Sequence, residues 1–198
     1  MDLIAQGNML PLYFAAPVSW YAMCVDREVL TIADESIFNR QTQRNRIVYG
    51  TFQGKKSFSI PLSHSSFSGK YRDIQINYSE NWQNQLVNAL QTSYGKSPFF
   101  EFYGYRFENV IRKNFQYLWD LNMAILDETL NCLRLKISVL PVLTDRITDP
   151  ETFALPVYYQ VFNEKLPFMP DLSILDLIYN EGPDALEILI TGNKLRTV

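Results

Sequence analysis

Residues 47–62 read IVYGTFQGKKSFSIPL, and this stretch decides the class of fold. Its second half, from Ser57 to Leu62, alternates hydrophobic residues with Ser or Pro, the period of two that is typical of a half-buried strand. Its first half, residues 47–52, also has the pattern of a strand, and the four residues 53–56 between the two halves include a glycine. Two such runs joined by a short glycine-containing loop predict an antiparallel hairpin near 47–62.

On the amino-terminal side, the pattern predicts two further strands and a short helix. Residues 9–15 and 29–32 are predicted as strands. Pro17 is suited to the first turn of a helix that continues through residues 18–23. A polar connector over residues 34–44 then leads into the hairpin.

On the carboxyl-terminal side, residues 73–78 alternate again and are predicted as a strand, after which the pattern becomes helical. Ser79 can cap a helix that Gly95 ends. Large apolar residues recur every four positions along one face of it: Trp82, Leu86, Leu90 and Tyr94. This face is expected to pack in the core.

The remainder of the chain continues to mix helices and strands. Helices are predicted over about 98–113 and 115–133, and strands over 136–142 and 158–162. Ser173 and Asp176 have capping-box spacing at the start of another helix, which Gly182 ends before a further short one. The order favours an α/β fold, with α+β as the alternative: a layered mixed sheet with flanking helices. Because no linker interrupts residues 1–198, we expect a single domain.

Composition is that of an ordinary globular protein, with 47% hydrophobic and 20% charged residues in 198. Cys24 and Cys132 lie among apolar residues, which favours buried free thiols. With His64 as the only histidine, the chain is expected to hold no structural metal site, and no cofactor is expected. No signal peptide and no apolar run near ~18 residues is visible, so we expect a cytoplasmic protein without a membrane span.

Familiar catalytic motifs are missing. Gly95-Lys96-Ser97 resembles the end of a P-loop, but Leu90 stands where the loop needs a glycine. His64, in a serine-rich loop, is a weak candidate base, and solvated surface is the commoner role of such a residue. Acidic residues cluster near the carboxyl terminus, where helix capping explains them best. A carboxylate facing the site, with Asp176 as the weak candidate, is the alternative.

Positive charge is gathered in one stretch of the sequence. Seven basic residues lie between positions 40 and 72 without any Asp or Glu: Arg40, Arg44, Arg46, Lys55, Lys56, Lys70 and Arg72. The rest of the chain has 11 basic and 21 acidic residues, a net charge of −10. Such segregation creates a local field that attracts anions. We therefore expect an anionic small-molecule ligand, such as a sugar nucleotide or an activated amino acid.

Within this stretch, the Arg44-Asn45-Arg46 segment is the most informative. The lysines flank predicted turns and are equally well explained as solvated surface. Arg44 and Arg46 flank Asn45 at the entry to a strand and can aim at one point, and arginine binds phosphate or carboxylate through two parallel hydrogen bonds. These three residues are the leading ligand-binding candidates.

The sequence resembles the WbqC-like protein family over nearly its whole length. The resemblance starts at Gln41-Thr42-Gln43-Arg44-Asn45-Arg46 and continues in order through the following segments: Ile60-Pro61, Arg72-Asp73-Ile74, Trp82, Tyr94-Gly95-Lys96-Ser97-Pro98-Phe99-Phe100, Leu172 to Leu177, and Asn180-Glu181-Gly182-Pro183. No single motif is specific, whereas the ordered set is. These motifs add Arg72 and Lys96 to the ligand-binding candidates.

The resemblance implies a bacterial protein in the context of surface polysaccharide (O-antigen type) synthesis. A transferase is implied, with aminoacyl or glycine transfer to a sugar as the suggested reaction. In that role Arg44 and Arg46 would hold the anion, Asn45 would orient a hydroxyl, and an aromatic ring would stack on a sugar or base, with these candidates: Tyr13, Trp82 and Tyr94. A non-catalytic binding or scaffold protein of the same pathway is the first alternative. RNA or tRNA binding is the second, and the sequence pI of about 5.2 counts against it.

Overall fold

The computed structural model describes residues 9–34, 42–63, 69–142, 144 and 155–196. The helices are α1 Val18–Ala22, α2 Trp82–Tyr94, α3 Phe100–Ile111, α4 Leu118–Cys132, α5 Ile174–Glu181 and α6 Ala185–Arg196. The strands are β1 Val29–Ala33, β2 Arg46–Thr51, β3 Gly54–Ser59 and β4 Ser138–Val142. Short 3-10 helices span Tyr71–Asp73 and Gly182–Asp184. This mixture confirms the predicted α/β or α+β class.

The described strands form two separate pairs rather than one mixed sheet. β1 and β4 are parallel, in register from Val29 opposite Ser138 to Ala33 opposite Val142. The backbone N–H of Asp34 extends this pair by donating to the carbonyl of Val142 at 3.0 Å. The carboxyl ends of both strands therefore lie side by side, with Asp34 directly after β1.

The hairpin of β2 and β3 confirms the predicted antiparallel pair, with Arg46 opposite Ser59 and Thr51 opposite Gly54. Its loop is shorter than predicted, because β3 already begins at Gly54. That glycine has φ +103°, a conformation that other residues adopt at a cost, and it allows the chain to turn within two residues. Lys55 and Lys56 are therefore strand residues with exposed side chains.

The helical predictions are confirmed with adjusted ends. In α2 the predicted apolar face is buried, and α2 starts after Asn81 rather than at Ser79. In α4 the predicted face is buried as well, with these members: Leu118, Leu121, Ile125 and Cys132. The α5 start is capped as predicted, since the Ser173 hydroxyl accepts from the Leu175 N–H at 3.3 Å. Gly182 ends α5 with φ +53°.

Three segments predicted as strands have other structures. Residues 9–15 contribute one bridge, from Leu10 to Ile32, before Ala15 turns the chain at φ 44°. Residues 73–78 begin in a 3-10 helix and continue as isolated bridges. Residues 158–162 lie beside α5, where the Tyr159 N–H donates to the Glu181 carboxylate and the Val161 N–H to the Asn180 side chain. Side-chain acceptors replace the neighbouring strand that a β-strand would need.

One continuous hydrophobic cluster joins all these elements, from Leu10 at one end of the described chain to Leu189 in α6. Both cysteines are buried free thiols, as predicted, and burial raises the pKa of Cys24 and of Cys132 to about 12. Across the described ranges, the helices are all too short or too polar to cross a bilayer.

Candidate functional site

Arg44 is the buried member of the predicted ligand-binding segment. It lies in the turn that leads into β2, and only 4% of the residue is exposed. Its guanidinium carbon lies 5.1 Å from the centre of the Tyr71 ring, a cation–π distance. Its carbonyl oxygen accepts a 2.7 Å hydrogen bond from the Asn122 side chain in α4. The Arg44 guanidinium is therefore buried against an aromatic ring, and the backbone of this residue is tied to α4.

Tyr71 and Asn122 fix the position of this turn. The Tyr71 hydroxyl donates to the carbonyl of Leu12 at 3.0 Å and accepts from the Asn122 amide nitrogen. Both side chains are fully buried, and burial raises the pKa of Tyr71 above its usual value. Within the described residues, the buried Asn122 Oδ1 atom has no hydrogen-bond donor. A buried acceptor of this kind is costly unless something satisfies it.

Arg72 follows Tyr71 in the sequence, and its side chain reaches Asp34 at the carboxyl end of β1. It forms an ion pair with Asp34, whose side chain is 7% exposed, whereas 48% of the Arg72 side chain is exposed. Its guanidinium carbon lies 4.8 Å from the centre of the Trp119 ring. Trp119 in turn contacts the Tyr71 ring edge to face at 5.3 Å. The guanidinium groups of Arg44 and Arg72 therefore pack against two aromatic rings that contact each other.

We call Arg44, Arg72, Tyr71, Trp119 and Asn122 the arginine cluster. It lies near the carboxyl end of the parallel pair β1–β4, the end at which ligands bind in larger parallel sheets. Each guanidinium presents several N–H donors in a fixed plane, and packing against a ring limits its rotation. This arrangement suits a phosphate or carboxylate group.

The other residues of the predicted segment have different surroundings. The Asn45 side chain is half-buried and donates to the Ile60 carbonyl at 3.0 Å. Arg46 is exposed, and its Nε donates to the Ser59 hydroxyl at 3.3 Å across the hairpin. Arg44 and Arg46 therefore have different partners in this structure, and only Arg44 belongs to the cluster.

Tyr13 is half-buried and lies close enough to Tyr71 to raise the pKa of that hydroxyl slightly, after the larger effect of burial. Trp82 and Tyr94 are 1% and 0% exposed. The expectation that either ring stacks on a ligand needs correction, because neither presents an open face. Core packing at the predicted helical spacing explains both.

The remaining candidates lie apart from the cluster or outside the description. The Tyr94 hydroxyl accepts from the Gly50 N–H at 2.8 Å and so ties α2 to β2. Lys96 is exposed just after α2. His64 and Arg40 lie outside the described residues, so their predicted roles rest on the sequence.

Asp176 has a structural environment. It is fully buried in α5, and its Oδ2 accepts from the Tyr158 hydroxyl at 2.6 Å and from the Gln160 amide at 2.9 Å. Burial raises the pKa of Asp176 to about 6, while the hydrogen bonds from Tyr158, Gln160 and Tyr94 oppose that rise. The carboxylate thereby holds the 158–160 segment against α5. Because the carboxylate is fully buried and accepts hydrogen bonds from these side chains, the non-catalytic interpretation is favoured over a base that faces substrate.

Sequence reasoning found Arg44 and Arg72 but missed their partners. Asn122 carried a usable signal, because it is an amide beside Leu121 on the apolar face of a helix. A buried amide needs hydrogen-bond partners and therefore points to a polar contact inside the core. For Trp119, the sequence contains no signal that distinguishes it from an ordinary core residue. In the part of the chain that the structure describes, no group of three or more histidine, cysteine or acidic side chains comes together to hold a metal ion.

Comparison with known proteins identifies the family. The model of the WbqC-like protein family matches residues 18–152, a span that includes the whole arginine cluster. Neither the curated proteins nor the solved structures contain a match to this chain. Since the matched span is well over half of the sequence, the chain belongs to the WbqC-like protein family.

Proposed function

We propose that this protein is a transferase of bacterial surface polysaccharide synthesis that binds an anionic, activated donor at the arginine cluster. The observation that carries the proposal is the position of Arg44, 4% exposed and packed on the Tyr71 ring. A planar guanidinium suits a phosphate or carboxylate group through paired N–H donors, and the Tyr71 ring limits its orientation. The resemblance to the WbqC-like family implies the context of surface polysaccharide synthesis and supports this part of the proposal.

The contacts of the residues support the roles that we assign to them. Arg44 and Arg72 bind phosphate or carboxylate oxygens of a sugar nucleotide or an activated amino acid. The Asn45 amide nitrogen is already used by Ile60, which leaves its carbonyl oxygen to accept from a ligand hydroxyl. Tyr13, half-buried beside the cluster, is the remaining aromatic candidate for stacking on a sugar or base.

The suggested reaction is transfer of an aminoacyl group, such as glycyl, to a sugar. A sugar hydroxyl or amine would form the new bond to the acyl carbon, and the bond from that carbon to the activating group would break. The arginines would stabilise the negative charge on the departing group. The proton of the attacking group would pass to solvent water, because Tyr158 and Gln160 enclose Asp176 and make it unsuited as the acceptor.

A thermal-shift screen tests the proposal. The ligands are UDP-glucose, UDP-N-acetylglucosamine, GDP-mannose and a non-hydrolysable glycyl-adenylate analogue. A ligand at about 100 times its Kd stabilises the folded state by about 2.7 kcal/mol. For a chain of this size that raises Tm by roughly 5–10 °C. No shift with any of these compounds would contradict the proposal.

Matched variants identify the site in that screen. Arg44→Lys keeps the charge but loses the planar donor set, and we expect it to lose most of the shift. Arg112→Lys makes the same chemical change at an exposed residue of the Glu108 ion pair and should keep the shift. Equal shifts in both variants would refute a role for Arg44.

A non-catalytic binding protein of the same pathway is the second candidate. It is favoured by the commitment of Asp176 to protein contacts. Release of product from a donor and acceptor that both bind would exclude it. Binding of both, without product, would favour it over the transferase.

A further inference from the structure

A second concave surface lies between the hairpin and α2 and shares no residue with the arginine cluster. Its volume is about 540 Å³, within the range of about 300–1,000 Å³ that is usual for small-molecule sites. The hairpin contributes Tyr49, Thr51, Phe52, Gln53 and Lys56. The helix contributes Gln85, Asn88, Ala89, Thr92 and Ser93. We call this surface the hairpin groove.

The chemistry of the hairpin groove is unusual for a solvated surface. Six of its ten lining residues are uncharged and polar, and the only charged one is Lys56. The whole of α2, from Trp82 to Tyr94, contains no charged residue. Solvent-facing helix surfaces ordinarily carry charges. The helix instead directs amide and hydroxyl groups at positions 85, 88 and 92 toward the groove, the spacing of one helical face.

Two features indicate that the side chains at positions 85 and 88 and the Tyr49 hydroxyl are available to a ligand, whereas the Thr92 hydroxyl already donates to the Asn88 carbonyl at 2.7 Å. Among the described residues, the side chains of Gln85 and Asn88 have no hydrogen-bond partner. Tyr49 is 7% exposed and lines the groove, and its hydroxyl has no partner there either. The hydroxyl oxygen itself is solvent-accessible at the groove surface, so a ligand group can replace the water there.

Phe52 supplies an apolar platform at the hairpin loop. The residue is 44% exposed, yet its ring is held edge to face against buried Phe162 at 5.2 Å. The Nζ atom of Lys165 lies 5.7 Å from the centre of the Phe52 ring and gives the ring a second contact. A large exposed ring in a fixed position favours a ligand that has an apolar face as well as polar edges.

We infer that the hairpin groove binds a neutral oligosaccharide. Amides and hydroxyls both donate and accept, which matches sugar hydroxyl groups that do the same. An aromatic face attracts the C–H groups of a sugar ring, because the face of the ring carries negative potential. Among the residues that the structure describes, no acidic residue and only one lysine line the groove, so the lining offers few charged groups that could bind a highly charged ligand. The inference stands on the groove alone and is independent of the arginine cluster.

Saturation-transfer NMR and calorimetry with defined glycans test this inference. The probes are neutral tri- and tetrasaccharides of glucose, galactose, mannose and N-acetylglucosamine, with uronate oligosaccharides and UDP-glucose as charged comparisons. We expect at least one neutral probe to bind at concentrations of about 10 mM or below. Binding of the uronates alone would overturn the assignment to neutral sugars, and binding of no probe would overturn the site.

Matched variants locate the binding. Because Gln85 and Asn88 are exposed, replacing both with alanine leaves the core intact, and we expect the Kd for the neutral probe to rise about 3- to 30-fold. Gln91→Ala on the same helix lies outside the groove and is the control. Phe52→Ala should abolish detectable binding, whereas Phe102→Ala, at an exposed ring of α3, should not.

The outcomes separate this inference from the proposed function. The groove is supported as a separate site if the groove variants lose binding of the neutral glycan but keep the thermal shift with the sugar nucleotide. Neutral-glycan binding that survives both groove variants overturns it. Arg44→Lys is expected to weaken the sugar nucleotide and leave the neutral probe unchanged, so the two proposals can fail independently.

Discussion

Replacing Asp176 with asparagine removes a buried charge while keeping most of the shape and one acceptor of the side chain. In the wild type, the carboxylate is enclosed by α5 and residues 158–160 and accepts from Tyr158 and Gln160. Its pKa is raised from 3.8 to about 6, chiefly because burial disfavours the charged form. The asparagine oxygen can accept the hydrogen bonds that Oδ2 accepts in the wild type. Because the amide is neutral, its charge does not change with pH.

The magnitude follows from linkage between protonation and folding. The unfolded chain loses the Asp176 proton near its ordinary pKa, and the folded chain holds that proton up to about pH 6. The stability that the protonated group provides is therefore complete below about pH 4 and is lost as pH rises through the folded pKa. A shift of about two units corresponds to roughly 3 kcal/mol.

Urea unfolding of the two proteins at several pH values from about 4 to 7 measures this effect. Other titrating groups are common to both proteins and cancel in the difference. We expect the free energy of unfolding of Asp176→Asn, relative to wild type, to increase by roughly 3 kcal/mol over that range. A difference that is constant with pH would refute the argument that Asp176 is a buried group with a raised pKa.

Three further predictions concern the packing around the candidate site. Gly182→Ala should destabilise the protein by more than Gly54→Ala, because both glycines have positive φ but only at Gly182 would the new Cβ meet a ring, that of Phe99, at 2.5 Å. Tyr71→Phe should cost about 1–3 kcal/mol, since it removes a hydroxyl that bonds to two buried groups. The thiols of Cys24 and Cys132 should react with a thiol reagent only on unfolding, because both are buried and burial raises their pKa to about 12.

Each of these has a direct readout. Urea denaturation compares the two glycine variants, and equal losses would contradict the predicted ring contact. For Tyr71→Phe, the control is Tyr105→Phe at an exposed residue, expected to change stability by less than about 0.5 kcal/mol. Equal effects of the two tyrosine variants would contradict the buried hydrogen bonds. Rapid thiol labelling of the folded protein would contradict the burial of the cysteines.

The sequence predicted the hairpin and the helices because their signals are local. The alternation from Ser57 to Leu62 and the repeat from Trp82 to Tyr94 each reflect one face that packs inward. Ile60, Leu62 and the four α2 residues are buried, and Phe58 is partly buried against the core. The segment 158–162 has the same kind of pattern but is not a strand. Its backbone N–H groups are satisfied by Glu181 and Asn180, and no local pattern distinguishes those acceptors from a neighbouring strand.

The candidate site was predictable only in part for a related reason. The run of basic residues is visible in the sequence, and so Arg44 and Arg72 could be singled out. Asn122 lies 78 residues from Arg44 along the chain and reaches its carbonyl only through the packing of α4. Trp119 and Tyr71 have the composition of core residues, which they also are. Only the tertiary structure shows that each ring lies beneath a guanidinium.

The central claim is that Arg44 contacts an anionic ligand, and a calorimetric titration tests it most directly. The ligand is the compound that gives the largest shift in the thermal screen, and the proteins are wild type, Arg44→Lys and Arg112→Lys. Loss of charge-assisted hydrogen bonds worth about 1.5–3 kcal/mol predicts a Kd about 10- to 150-fold weaker for Arg44→Lys. The Arg112→Lys value should equal that of the wild type. An unchanged Kd in a folded Arg44→Lys protein would contradict the claim.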